Sequence, residues 1–260
     1  MTMTEEAKRI GAIIGAPPEA VRQALSRHGM LRAGINLSNF LLVSSRTADG
    51  GPAGVSPDMA AILAECLGLP LAYVPYESPG PLADAAERDE WDVALVGAEP
   101  QRAAVIDFTP AYTEIEATYL VPPGSDLQSV GEVDRKGRRI AVAARTAYGL
   151  WLERNIQVAE LVSGEGFDGA YRHFVDQKLD ALAGLRPKLI EDEKTLPGSR
   201  MLPGRFMAVQ QALGTPKTSG IALDYLTRFV AATIETGTVA RLIAKHGVTG
   251  LSVAELHSAR

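Results

Sequence analysis

The strongest constraint on the fold is the alternation of apolar β-type runs with helix-forming segments between Leu31 and Gly97. LRAGINL (31–37), LAYVPY (71–76) and WDVALVG (91–97) are short runs, apolar enough to sit inside a sheet covered on both faces. Helix signals fill the gaps. Ser56-Pro57-Asp58 reads as a serine N-cap with proline at the first helical position, and Gly68 is the stop. Pro81 to Glu90 reads as the next helix. Parallel strands need such crossovers, because a tight hairpin can only reverse the chain. The expectation is an α/β fold built on a mostly parallel sheet.

The pattern resumes on a second scale after Arg102. TEIEATYLVPPG (113–124) is a long β-like run whose glutamates, Glu114 and Glu116, suit an exposed connecting strand better than a core strand. RRIAVAA, AELVSG and LDALAGL then read as strands, separated by the helical stretches TAYGLWLERN and GFDGAYRHFVDQ. RFMAVQQALG (205–214) is a second extended segment, and two amphipathic helices end the body at Gly247. The two extended segments divide the chain into one discontinuous lobe (30–114 and 208–248) and one inserted lobe (115–207). A helical extension (1–29), with a helix opened by Pro17-Pro18, precedes them, and a tail (249–260) follows.

Charge and motifs exclude several classes. A formal charge of -5, with lysine and arginine spread along the chain, argues against a nucleic-acid partner. His28, His173, His246 and His257 are scattered without metal-ligand spacing, so neither a metal nor another cofactor is expected. Walker loops, dinucleotide turns and G-x-S-x-G elbows do not occur. The single cysteine, Cys66, lies in a helical run and reads as a packed small hydrophobe. No run reaches the roughly 18 apolar residues of a membrane span, so no membrane insertion is expected. The first residues, with Glu5 and Glu6 and only a short apolar patch at Ile10 to Ile14, do not read as a secretory leader. As written the chain is expected in the cytoplasm.

One stretch carries chemistry: DVALVGAEPQRAAVIDFTPAY (92–112). Open α/β sheets bind ligands beyond the C-terminal ends of their strands, and Arg102 lies just past such an end. A guanidinium matches a carboxylate through two parallel charge-assisted hydrogen bonds. The bland alternative is an arginine solvated at a helix start, or paired with Glu99 or Asp107.

The order of these motifs from Leu31 to Gly247 resembles the family 3 extracellular solute-binding proteins. The resemblance rests on LRAGINL, GGPAGVSPDMAAILAECLGLPLAYVPY, the arginine stretch, SVGEVDRKGRRIAVAARTAYGLWL and LDALAG. It implies a two-lobed type II periplasmic-binding-protein fold, each lobe a mostly parallel sheet flanked by helices, joined by two extended hinge segments. A small anionic ligand, an ABC permease as partner, a monomer and a periplasmic location are what the family would bring.

Residue by residue, the resemblance makes Arg102 the clamp for the ligand carboxylate. Arg145, Thr146 and Ala147 take the place of the helix N-terminus whose amides bind the same carboxylate, with arginine where the family commonly has glycine. Asn36 and Phe40 occupy the loop where the family sets an aromatic side chain against its ligand. Around Gly97 the usual serine and threonine hydroxyls are missing. Leu185, followed by Arg186, stands where receptors of α-amino acids place an aspartate for the ammonium group. An ammonium without that partner would be costly to desolvate. Either Glu114 or Glu116 supplies the charge, or the ligand has no ammonium and Arg102, Arg145 and Arg186 favour several acidic groups. Two other functions compete with a transport receptor. One is a cyclohexadienyl-dehydratase-like enzyme using Glu99, Glu114 or Glu116 as proton donor. The other is a ligand-sensing domain.

Overall fold

A computed structural model describes residues 4–255, which fold as two compact units. Of these residues, unit 1 comprises 4–114 with 210–255, and unit 2 comprises 115–209. His257 and the end of the tail lie outside the described residues.

In chain order the first elements are α1 (Glu5–Ile14), α2 (Glu19–Ala24), β1 (Leu31–Asn36) and the small ladder β2 (Ser45–Arg46) with β3 (Pro52–Ala53). Next come α3 (Val55–Leu67), β4 (Leu71–Tyr76), α4 (Pro79–Asp84), β5 (Val93–Gly97) and the long strand β6 (Ile106–Val121). Unit 2 adds β7 (Arg139–Ala143), α5 (Ala147–Asn155), β8 (Glu160–Gly164), α6 (Gly166–Asp176), β9 (Ala181–Leu185), α7 (Arg186–Thr195) and β10 (Arg200–Met201). The chain returns through β11 (Met207–Pro216) and ends in α8 (Leu223–Glu235), α9 (Thr238–Lys245) and β12 (Ser252–Val253).

In unit 1, β1 lies between β4 and β5, parallel to both, with Ile35 opposite Pro75 and Leu95. β11 joins β5 antiparallel, placing Gln211 opposite Gly97. One core cluster gathers Leu82, Ala85, Trp91, Ala94, Val96 and Ile106, with the Trp91 indole N–H donating to the Leu82 carbonyl at 3.0 Å. Backbones approach closely at Gly54, where φ is 149° and a Cβ would lie 2.3 Å from the Leu42 oxygen. Only glycine fits that position.

Unit 2 is a smaller sheet in which β7 lies between β8 and β9, parallel to both, and β6 joins β9 antiparallel with Ala117 opposite Leu185. Its aromatic packing joins Tyr119 to Phe206 at 4.6 Å and Phe206 to Trp151 at 5.5 Å between ring centroids.

Three local expectations change. Gly54, not Ser56, precedes α3, and the Ser56 hydroxyl instead bonds the buried Tyr112 phenol at 2.9 Å. The helix expected over Pro81 to Glu90 starts at Pro79, runs to Asp84 and ends in a 3-10 turn over Ala85–Glu87. The run around Glu114 and Glu116 is not an exposed connector: β6 pairs with β12 in unit 1 and with β9 and β10 in unit 2. Ile115, Ala117 and every residue from Thr118 to Val121 are buried, while the two glutamates take the half-exposed positions.

The N-terminal extension is part of unit 1. Thr4 caps α1 by accepting from the Ala7 amide, and Ala7, Ile10 and Ile14 bury the face turned to α3 and α8. Full burial of Ile10 alone stabilises by about 2 kcal/mol. Polar bonds fix the register: Arg241 Nε donates to Glu6 Oε1 at 2.8 Å, the Thr238 hydroxyl to Glu6 Oε2 at 2.6 Å, and Arg228 to the Ile14 carbonyl at 2.8 Å. The Cys66 thiol lies 3.7 Å from the Ala7 carbonyl, and burial pushes it up to about 12, out of the range of a nucleophile.

The Arg241 hydrogen bond holds the Glu6 carboxyl at about 2, well below its ordinary 4.5. A carboxyl depressed on folding stabilises fully above its unfolded value and loses that contribution as pH falls through its folded one. Glu6→Gln should therefore lower the urea midpoint above pH 4.5, and the gap to the wild type should close as pH falls toward 2. A gap independent of pH would show that the bond does not tie α1 down.

Candidate functional site

β1 and β5 end side by side because they are parallel and in register, so the loops after Asn36 and Gly97 leave one edge of the unit 1 sheet. Beyond β5 the Ala98 amide donates to Gln210 O at 2.8 Å, which keeps the chain on β11. The amides of Arg102 and Ala103 both donate to Glu99 O at 2.9 Å and wind a short 3-10 turn. That turn folds Arg102 back over the strand end, where Nη1 donates to Gly97 O at 2.7 Å. Arg102 is only 4% exposed, so it is not a solvated helix-start arginine. Asp107, one suggested partner, is taken by Lys217 at 2.7 Å.

The β1 loop supplies the other unit 1 positions. Asn36 is buried, and its Oδ1 accepts from the Ser38 amide at 3.2 Å and the Ser38 hydroxyl at 2.8 Å, a local turn that shapes the loop. In the Phe40-Leu41-Leu42 run, the two leucines enter the core at 4% and 1% exposure while Phe40 stays 38% exposed. The Phe40 ring is thus a surface of the loop, not core filling. Gln211, opposite Gly97, is buried on the return strand.

In unit 2 the matching edge lies beyond β7 and β9. Thr146 caps α5 with a hydroxyl used twice, donating to Ala143 O at 2.8 Å and accepting from the Gly149 amide at 3.1 Å. The amides of Ala147 and Tyr148, ahead of the capped one, have no carbonyl a turn back within the helix. With the helix dipole behind them, amides so placed favour a negative charge. A Cβ at Gly149 would lie 2.8 Å from Ala143 O, so this helix starts hard against its strand. Arg145, exposed, turns the chain into the helix at φ 58°. A side chain in that left-handed region costs about 1 kcal/mol, which glycine avoids.

Leu185 ends β9 at 5% exposure, and Arg186 opens α7. Arg186 is half-buried and engaged: Nε donates to Glu116 Oε2 at 2.6 Å and Nη2 to Gly204 O at 2.5 Å. Arg205 Nη1 reaches the other Glu116 oxygen at 3.5 Å. Of the bracing residues Glu116, Gly204 and Arg205, only Glu116 carries a signal in the sequence, as a charge inside a β-run.

Residues 31–249 match the model of the bacterial extracellular solute-binding proteins, family 3. The chain belongs to that family. No curated protein matches it. Among solved structures it is similar to AbpA, an amino acid ABC transporter substrate-binding protein from Streptococcus pneumoniae bound to L-arginine. The TM-score is 0.69 at 18% identity, over 87% of this chain and 99% of that one. It is also similar to the ancestral amino acid-binding protein AncCDT-1, a precursor of cyclohexadienyl dehydratase: TM-score 0.67, 19% identity, 86% of this chain and 98% of that one. Holo ArgBP from T. maritima gives TM-score 0.64 at 18% identity, over 85% of this chain and 97% of that one. These likenesses carry the type II periplasmic-binding-protein fold.

This solute-binding protein shows no group of three or more His, Cys, Asp or Glu among the described residues that could hold a metal. None of its described helices is long and apolar enough to cross a membrane. Of the expected site residues, Arg102, Gly97, Asn36 and Phe40 share the strand-end edge of unit 1, and Arg145, Thr146, Ala147, Leu185 and Arg186 that of unit 2.

Thr146→Ala should cost about 1 kcal/mol of stability, because the Gly149 amide loses its cap, while Thr146→Ser should keep it. Urea unfolding checks this, and a neutral alanine variant would mean that the hydroxyl does not set the helix start.

Proposed function

We propose that the chain binds a small solute through a carboxylate, taken by the Arg102 guanidinium, and delivers it to an ABC permease. The observation that carries this reading is Arg102: a buried guanidinium held by Gly97 O at the strand-end edge of unit 1. That is the edge at which open α/β sheets take ligands. The family membership supports solute binding, and the mostly receptor-like relatives support a permease partner. We read it as a monomeric binder, not an enzyme, working outside the cytoplasm as the family description has it. Of the carboxyls considered as a proton donor, Glu116 is occupied by Arg186 and Arg205, which leaves the dehydratase-like reading without that acid.

Isothermal titration with mono- and dicarboxylates, keto acids and amino acids tests the reading. Arg102→Ala should weaken binding of every carboxylate at least about a hundredfold, the loss of a buried charge-assisted pair. Arg102→Lys should restore only part, since an ammonium lacks the fork. Undiminished affinity in Arg102→Ala, or turnover of prephenate or arogenate by the wild type, would contradict it.

A further inference from the structure

Within unit 1 the return strand brings one polar side chain to the Arg102 edge that the reading above does not use. Gln211 of β11 stands opposite Gly97 of β5. Because the Ala98 amide donates to Gln210 O, the ladder bonds fall on the neighbouring pair, and Gln211 and Gly97 form a non-hydrogen-bonded pair. Side chains stand closest in such pairs, with Cα atoms about 4.5 Å apart. Gly97 has no side chain, so Gln211 meets none across the ladder. Gly97 O, turned away from β11, is the oxygen that accepts from Arg102 Nη1 at 2.7 Å. The Arg102 guanidinium and the Gln211 side chain thus flank a single residue of one strand.

The sheet pattern alone would put an apolar residue at this position. Side chains alternate along a strand, so Gln211 shares its face with Leu213 and, across the ladder, with Leu95, both buried. The opposite face, with Ala94 and Val96, is the one packed into the core cluster. Gln211 is only 4% exposed, yet its carboxamide makes no hydrogen bond to a described residue. Nor is it sealed in, as the unpartnered Asn39 Oδ1 and the Tyr225 phenol oxygen are, so its polar atoms reach the surface at the strand end. A carboxamide holds two donors and an acceptor, and leaving them unmade at a buried position costs stability that leucine would not cost. A neutral amide kept unpaired beside a carboxylate clamp suits an oxygen on the carbon next to that carboxylate. Its N–H donates to an oxo or hydroxyl oxygen, and its carbonyl accepts from a hydroxyl. An ammonium in that place would give up its hydration for one neutral acceptor.

We propose that Gln211 is a ligand-binding residue that sets specificity. Its carboxamide hydrogen-bonds a hydroxyl or oxo group on the carbon next to the solute carboxylate, so that the protein selects α-hydroxy and α-oxo acids over plain alkanoates. This rests on the assignment of the carboxylate to Arg102.

Calorimetric titration of the full chain with propionate, L-lactate, D-lactate, pyruvate and L-alanine tests this, because these acids share one carbon skeleton and differ only next to the carboxylate. The wild type should bind pyruvate or one of the lactates at least about tenfold more tightly than propionate, and more tightly than L-alanine. In Gln211→Leu that ratio to propionate should fall to about one. The melting temperature of Gln211→Leu should stay at or above that of the wild type, since no bond within the protein is lost. Equal wild-type affinity for propionate and the oxygen-bearing acids, a preference that survives Gln211→Leu, tightest binding of L-alanine, or a marked fall in the melting temperature of Gln211→Leu would overturn the proposal and leave the Arg102 assignment standing. Binding of none of the acids by the wild type would overturn the Arg102 assignment, and this proposal with it.

Discussion

The candidate site in unit 1 depends on the register of β1 against β5. Because Ile35 faces Leu95 in a parallel pair, both strands end together and the chain leaves each of them at the same edge. Everything else there follows from short-range bonding. The Ala98 amide stays on β11, the Glu99 carbonyl collects two amides, and the resulting turn returns Arg102 to Gly97. A one-residue slip would turn every side chain of β5 to the opposite face and carry the turn away with it. The side chains fix the register physically: Trp91, Ala94 and Val96 lie in the core cluster below the edge, and a Cβ at Gly34 would already press on the Trp91 ring at 3.2 Å.

Unit 2 builds its strand-end edge by different means. There the strand-end edge carries a helix end and an arginine braced by neighbours, not an arginine folded back on its own strand. The Thr146 hydroxyl is consumed in closing the α5 turn, and the Ala147 and Tyr148 amides lie ahead of the one it caps. Arg145 carries a backbone cost that glycine would not, and it puts a further positive side chain at that helix end.

Much of this was legible from the chain. Apolar runs bounded by helix signals gave β1, β4 and β5, and the position of Arg102 past a strand end followed from them. What stayed hidden depended on distant partners or on backbone conformation. The pairing that buries β6 comes from segments late in the chain, and the Arg186–Glu116 bond spans 70 residues. No local pattern reports such a contact, so glutamates in a β-run looked like exposure. Ser56 misled for a related reason: its hydroxyl satisfies Tyr112, 56 residues away, instead of the helix beside it. Phe40 was ambiguous because a three-residue apolar run does not say which member the core takes.

The central claim is that Arg102 holds a solute carboxylate, and the most direct measurement is a crystal structure of the complex with the tightest-binding acid of the titration series. The account predicts the carboxylate seated on the Arg102 guanidinium at about 2.8 Å, the distance of a charge-assisted bond. A well-ordered ligand bound elsewhere, with no contact to Arg102, would contradict it.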